Sequence, residues 1–167
     1  MAIQEVRVQR FSVTSARPFE DVVAHIESGI GRPDMARFRK GITASKSFAE
    51  LEEIVNGAVG PSGLMEFSRF DLGEIARKQH GGATPRSLRV VAGNPLIMKR
   101  MLDHVPDAGS YAPVTILIDE RVDGVHLSYD RMASQLAPYQ SEEALTVARD
   151  LDSKVESLLN AAATASR

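Results

Sequence analysis

Apolar residues recur along the chain with two different periods, and the switches between them divide it into elements. Val6 and Val8 alternate with polar neighbours, then Phe11 and Val13 alternate on the opposite parity, which predicts a long first strand with a bulge or bend. Pro18 suits the first turn of a helix. Phe19, Val22, Val23, Ile26 and Ile30 follow at helical spacing as one buried stripe. Residues 31–46 have no clear period. Ser47 and Glu50 then show capping-box spacing, and Phe48, Leu51, Ile54 and Val55 share a face of the helix they open. Gly57, Gly60 and Pro61 end it.

Residues 64–70 read as a strand, residues 72–80 as a short polar helix, and the Gly-rich residues 81–85 as a break. Residues 88–92 are nearly all apolar, as an interior strand requires. Gly93-Asn94-Pro95 closes that strand and starts a helix whose buried side is Leu96, Ile97, Met98, Met101 and Leu102. Pro106 and Gly109 return the chain to a strand.

Asp123-Gly124 is a favoured central pair for a type I′ hairpin turn. In that register Val122 pairs with Val125, Glu120 with Leu127 and Ile118 with Tyr129. One sheet face then carries Ile116, Ile118, Val122, Val125, Leu127 and Tyr129. The other carries Asp119 opposite Ser128 and Arg121 opposite His126, so Asp119 and His126 share a face. Ser141 followed by Glu142 and Glu143 opens the last helix, with acids where the helix dipole favours them. Ala144, Ala148, Leu151, Val155, Leu158 and Ala162 repeat every three or four residues along it. About twenty residues at 1.5 Å each span roughly 30 Å, enough to cross a small sheet. The stripe lasts under three heptads, so packing on the sheet is expected ahead of a coiled coil.

Strands in runs rather than strict alternation with helices predict an α+β fold: a mainly antiparallel sheet with the long C-terminal helix packed across it. With neither repeat nor low-complexity linker, residues 1–167 read as a single domain.

Composition narrows the chemistry. At 167 residues, 43% hydrophobic and 25% charged, the chain is an ordinary globular mix, long enough to bury roughly 68–70% of its unfolded surface. It has no cysteine, which excludes disulfides, thiolate nucleophiles and cysteine-ligated metal sites. Tryptophan is absent and aromatics are only 5%, which removes most stacking platforms. A net charge of −2 argues against tracking a phosphate backbone. The short basic cluster of Arg32, Arg37, Arg39 and Lys40 reads as a solvated loop or helix end. The N-terminus alternates polar and apolar residues without a long apolar run, so neither a signal peptide nor a membrane span is expected and the expected address is the cytoplasm.

Among candidate residues, His126 and Asp119 make a cross-strand pair in which a carboxylate orients a general base. Such pairs are also ordinary surface chemistry. Asn94 is placed either to cap the following helix or to contact an anion at its N-terminus. The four histidines, His25, His80, His104 and His126, have no metal-motif spacing, although distant residues can still assemble a site. Gly81-Gly82 lacks the Lys-Ser or Lys-Thr of a phosphate loop, and Ser62 and Ser110 lack a nucleophile-elbow context. Met98, Met101 and Met132 read as core filler.

Gly93-Asn94-Pro95, Ser110-Tyr111-Ala112-Pro113, Asp123-Gly124, Ser128-Tyr129-Asp130 and Leu151-Asp152-Ser153-Lys154 occur in that order. In this the chain resembles the bacterial and archaeal family called domain of unknown function 302, well over residues 60–165 and loosely over the first strand and helix. The resemblance implies a fold similar to the TATA-binding-protein type, β-α-β4-α with inserted helices, in which a long C-terminal helix lies over a curved antiparallel sheet. It also implies a homodimer. Two departures stand out: Arg131-Met132 follows the Tyr-Asp where many members have Pro, and residues 31–60 look like an enlarged insertion. The resulting expectation is a non-enzymatic small-molecule-binding or interaction module, without cofactor, metal, nucleic acid or membrane partner. Its expected cleft is lined by Asn94, Tyr111 and Tyr129. The alternative is a small cofactor-independent enzyme transferring protons through His126 and a carboxylate such as Asp119.

Overall fold

The structure, a computed structural model, describes residue 3, residues 5–80 and residues 84–165. In chain order the elements are β1 (Arg10–Ser15), α1 (Phe19–Gly29), α2 (Met35–Ala44), α3 (Phe48–Asn56), β2 (Met65–Asp71), α4 (Leu72–His80), β3 (Ser87–Gly93) and α5 (Pro95–Leu102). A 3₁₀ turn, Pro106–Ser110, leads to β4 (Val114–Arg121), β5 (Gly124–Asp130), α6 (Met132–Leu136) and α7 (Glu142–Thr164). Five strands form one sheet in the order β1-β5-β4-β3-β2, with every neighbouring pair antiparallel. The fold is α+β, as the runs of strands predict.

Strand alternation decides which face is covered. Leu88, Val90, Ala92, Ile116, Ile118, Val125, Leu127 and Tyr129 are buried on one face. Against them α7 contributes Ala144, Ala148, Leu151, Val155, Leu158 and Ala162, all buried at the predicted spacing. This helix packs on β1 and β5 and runs against α1, α5 and α6. Ser141 caps it by accepting from the Ala144 N–H at 3.2 Å. At about 25 cal/mol per Å² of apolar area removed from water, this shared layer is the main force holding helix to sheet.

Residues 31–46, which show no period in the sequence, contain α2. Asp34 caps it by accepting from the Arg37 N–H at 2.8 Å. Its apolar face is Met35, Phe38 and Ile42, which joins Val55, Ala58 and Met65 in a second, smaller core. The basic residues hide this three-residue face in the sequence. Gly31 sits where the end of α1 crosses the loop before β2: an added Cβ there would lie 1.8 Å from the Ala58 carbonyl oxygen. This close approach lets Gly31 bond on both sides, to Leu64 O at 2.8 Å and from the Glu66 N–H at 2.8 Å.

Three expectations are corrected. The first strand starts at Arg10, so Val6 and Val8 lie outside it. Phe48, expected on the buried face of α3, is 50% exposed. The hairpin register is also different. Arg121 pairs with Gly124, Glu120 with Val125, Asp119 with His126, Ile118 with Leu127 and Ile116 with Tyr129. The turn residues are therefore Val122 and Asp123, neither with positive φ, while Gly124 has φ 136°. Val122 leaves the buried face and is fully exposed. The cause lies across the sheet: β1 runs alongside β5 up to Ser15, whose carbonyl oxygen would be 2.5 Å from a Cβ on Gly124. Gly124 serves that approach rather than a type I′ turn. Of the expected 81–85 break, residues 81–83 lie outside the described residues.

Candidate functional site

The end of β3 and the start of α5 form one side of an apolar cavity. Asn94 stops the strand and caps the helix, its side-chain oxygen accepting from the Leu96 N–H at 2.8 Å and the Ile97 N–H at 3.4 Å. Its amide donates to the Gly63 carbonyl at 2.9 Å, tying α5 to the loop before β2. Pro95 follows at the first helical position, where a missing N–H costs nothing. The residues leading into β4 close the other side, through a cis Ala112–Pro113 bond.

The cavity between them has a volume of about 240 Å³. Phe67, Met98, Met101, Pro113 and Leu151 supply most of its wall, with Gly93 and Asn94 at the strand end. Phe67 reaches it because the β2–β3 register shifts between Glu66 and Ser68, leaving Phe67 as the extra residue of a bulge. No pattern in the sequence marks that bulge. Of the methionines read there as core filler, Met101 and Met132 are buried core, whereas Met98 is only half-buried; Met98 and Met101 line the void.

Asn94, Tyr111 and Tyr129 do not line one cleft. Asn94 belongs to the apolar cavity, whereas Tyr111 and Tyr129 border a separate trough of about 380 Å³. Tyr111 meets Tyr139 edge to face, with ring centroids 6.4 Å apart and hydroxyls at 3.0 Å. That hydrogen bond is the main reason the Tyr139 hydroxyl is pushed up to about 12. Tyr129 is only 1% exposed and is committed to structure. Its hydroxyl donates to Asp152 and accepts from the Met132 N–H at 3.1 Å. Asp152 also accepts from the Met132 N–H at 2.7 Å and the Ala133 N–H at 3.1 Å. Burial raises the Asp152 carboxyl above its ordinary range, and the Tyr129 and backbone donors oppose that rise. Burial likewise pushes the Tyr129 hydroxyl up, aided by the adjacent Asp152 charge.

His126 and Asp119 are directly paired across β4 and β5, on the same face. Their side chains nevertheless turn to other partners: His126 Nε2 lies 2.8 Å from an Asp123 oxygen, and Asp119 accepts from Arg121 at 2.5 Å. Neither lines the apolar cavity or the trough. Among the described residues no three His, Asp or Glu side chains gather as a metal site. Among the same residues no helix is long and apolar enough to cross a membrane. In the basic cluster Arg32 is engaged by Glu27 at 3.4 Å and Glu66 at 3.9 Å.

The model of the family Domain of unknown function DUF302 matches residues 40–162, most of the chain. The chain belongs to this family. The DUF302 match takes in the end of α2 and all of α3. The crystal structure of an uncharacterized conserved DUF302 protein from Bacillus stearothermophilus is similar, with a TM-score of 0.62 at 9% identity. That likeness covers 93% of this chain and 98% of the other, and at such low identity it shows the shared fold alone. No curated protein matches the sequence.

Proposed function

We propose that this DUF302 chain is a single-domain, non-enzymatic module that binds a small, largely apolar molecule and works as a homodimer. The observation that supports it is the cavity beside Gly93-Asn94-Pro95: about 240 Å³, walled by Phe67, Met98, Met101, Pro113 and Leu151. Apolar pockets oriented by a few polar groups are the usual form of small-molecule sites. At a packing density of about 0.55–0.75 this void holds on the order of ten non-hydrogen atoms. Dimerisation is supported by the edge position of β1, where Phe11 and Val13 are only half-buried against the core and β5 is the one strand neighbour among the described residues. Edge strands with free backbone groups pair readily with a second copy.

A native mass spectrum of the freshly purified protein, set against its denatured mass, tests both parts. The expected result is a dimer carrying a small mass that is lost on denaturation. A monomer would overturn the dimer, and a species that stays ligand-free after incubation with 1-octanol would overturn the cavity assignment.

A further inference from the structure

The sheet has two edges, β1 and β2, and they are built differently. β2 is blunted: its register with β3 shifts between Glu66 and Ser68, and Glu66, Arg69 and Asp71 put charge along it. At its start Met65 is already bridged by Gly31. Bulges, charges and covered ends are how edge strands avoid pairing with other chains. β1 has none of these. Arg10 to Ser15 pair with Asp130 to Val125 without a break and include neither Pro nor Gly. The one charge on the strand, Arg10, is neutralised by donating to both oxygens of Asp130 at 2.6 and 2.9 Å.

The register also fixes which backbone groups of β1 face outward. The Arg131 N–H donates to the Gln9 carbonyl at 2.9 Å, so Gln9 faces β5. Antiparallel pairing alternates along a strand. Phe11, Val13 and Ser15 therefore turn their backbone groups toward β5, and Arg10, Ser12 and Thr14 point theirs away from it. These three residues are exposed, and no strand among the described residues pairs with that side.

Resting on the homodimer reading, we infer that a second copy of this chain covers this edge, its β1 running antiparallel with Ser12 opposite Ser12. In this register the outward groups meet one another: Ser12 with Ser12, and Arg10 with Thr14 on either side. On the helix side of the sheet, Phe11 of each copy stands opposite Val13 of the other, an aromatic–β-branched pair. No like charges meet, because Arg10 faces the neutral Thr14. A centre at Arg10 would set two guanidinium groups opposite each other, and a centre at Phe11 or Val13 would break both Phe11–Val13 pairs. The two five-stranded sheets are joined edge to edge.

The chain has no cysteine, so a single introduced thiol can join only its counterpart in the other copy. Directly opposite Cα atoms lie about 4.5–5.5 Å apart, within disulfide reach. The two Thr14 residues, each opposite Arg10, are offset along the strands by roughly 14 Å. On mild oxidation Ser12→Cys is expected to give a covalent dimer, and Thr14→Cys is not. Ser12→Pro removes an outward N–H and no bond to β5, as an edge strand tolerates. Sedimentation velocity is expected to show its dimer weakened about thirtyfold, as loss of two central hydrogen bonds gives. A folded Ser12→Pro protein that dimerises as tightly as wild type, or Ser12→Cys cross-linking no faster than Thr14→Cys, would overturn this interface while leaving the dimer standing. A wild type that stays monomeric at every concentration would overturn the dimer reading itself, and this interface with it.

Discussion

At the scale of single residues, Asp152 joins three parts of the chain through hydrogen bonds. It lies on α7 yet receives the Tyr129 hydroxyl at the end of β5 and two N–H groups at the start of α6. Tyr129→Phe removes a buried donor from a carboxylate, and its expected cost is about 1–3 kcal/mol. A urea titration with a lowered midpoint and an unchanged slope would show this. The same carboxyl gives a pH signature. Burial raises it above the ordinary 3.8, so the folded chain holds this proton to higher pH than the unfolded chain. The stability linked to it is present below the ordinary value and is lost as pH rises through the raised one. Relative to Asp152→Asn, wild-type stability is therefore expected to fall between that ordinary value and the raised one, and a rise there would refute the direction. Asn94 was legible in the sequence because a cap needs only its own local neighbours. Asp152 was not, because its partners Tyr129 and Met132 lie 23 and 20 residues away.

At the scale of elements, local signals read correctly and lateral ones did not. α7, α5 and α4 carry their caps, stripes or breakers within their own sequence. The β4–β5 hairpin was expected in the wrong register because its decisive neighbour is β1, more than a hundred residues earlier in the chain. Gly124 tests that reading. Its positive φ and the Ser15 carbonyl leave no room for a Cβ, so Gly124→Ala is expected to destabilise by about 2 kcal/mol or more. If chemical denaturation finds Gly124→Ala as stable as wild type, β1 does not fix this register. The bulge at Phe67 is the same kind of feature. It places an aromatic ring in the cavity wall through a pairing irregularity that binary patterning does not encode.

At the scale of the molecule, one sheet face is covered by helices and the other is largely open, and each is bordered by its own cavity. On the helix side the apolar void sits where Gly93-Asn94-Pro95 and Ala112-Pro113 meet Leu151 of α7. These segments carry the DUF302 resemblance, and the fold brings them together from three separate stretches of chain. On the open side, Arg89 and Tyr111 border the polar trough. The sequence named residues of both but merged them into one cleft, since strand parity and register decide the face and neither is fixed by one strand alone.

The most direct test of the binding role is calorimetric titration of 1-octanol into the wild-type protein and a Met98→Trp variant that fills the cavity. The expected result is saturable binding of one molecule per chain with a negative heat-capacity change, as burial of apolar surface gives, and its loss in the folded variant. No saturable heat with wild type, or equal affinity in Met98→Trp, would contradict the role assigned to this cavity.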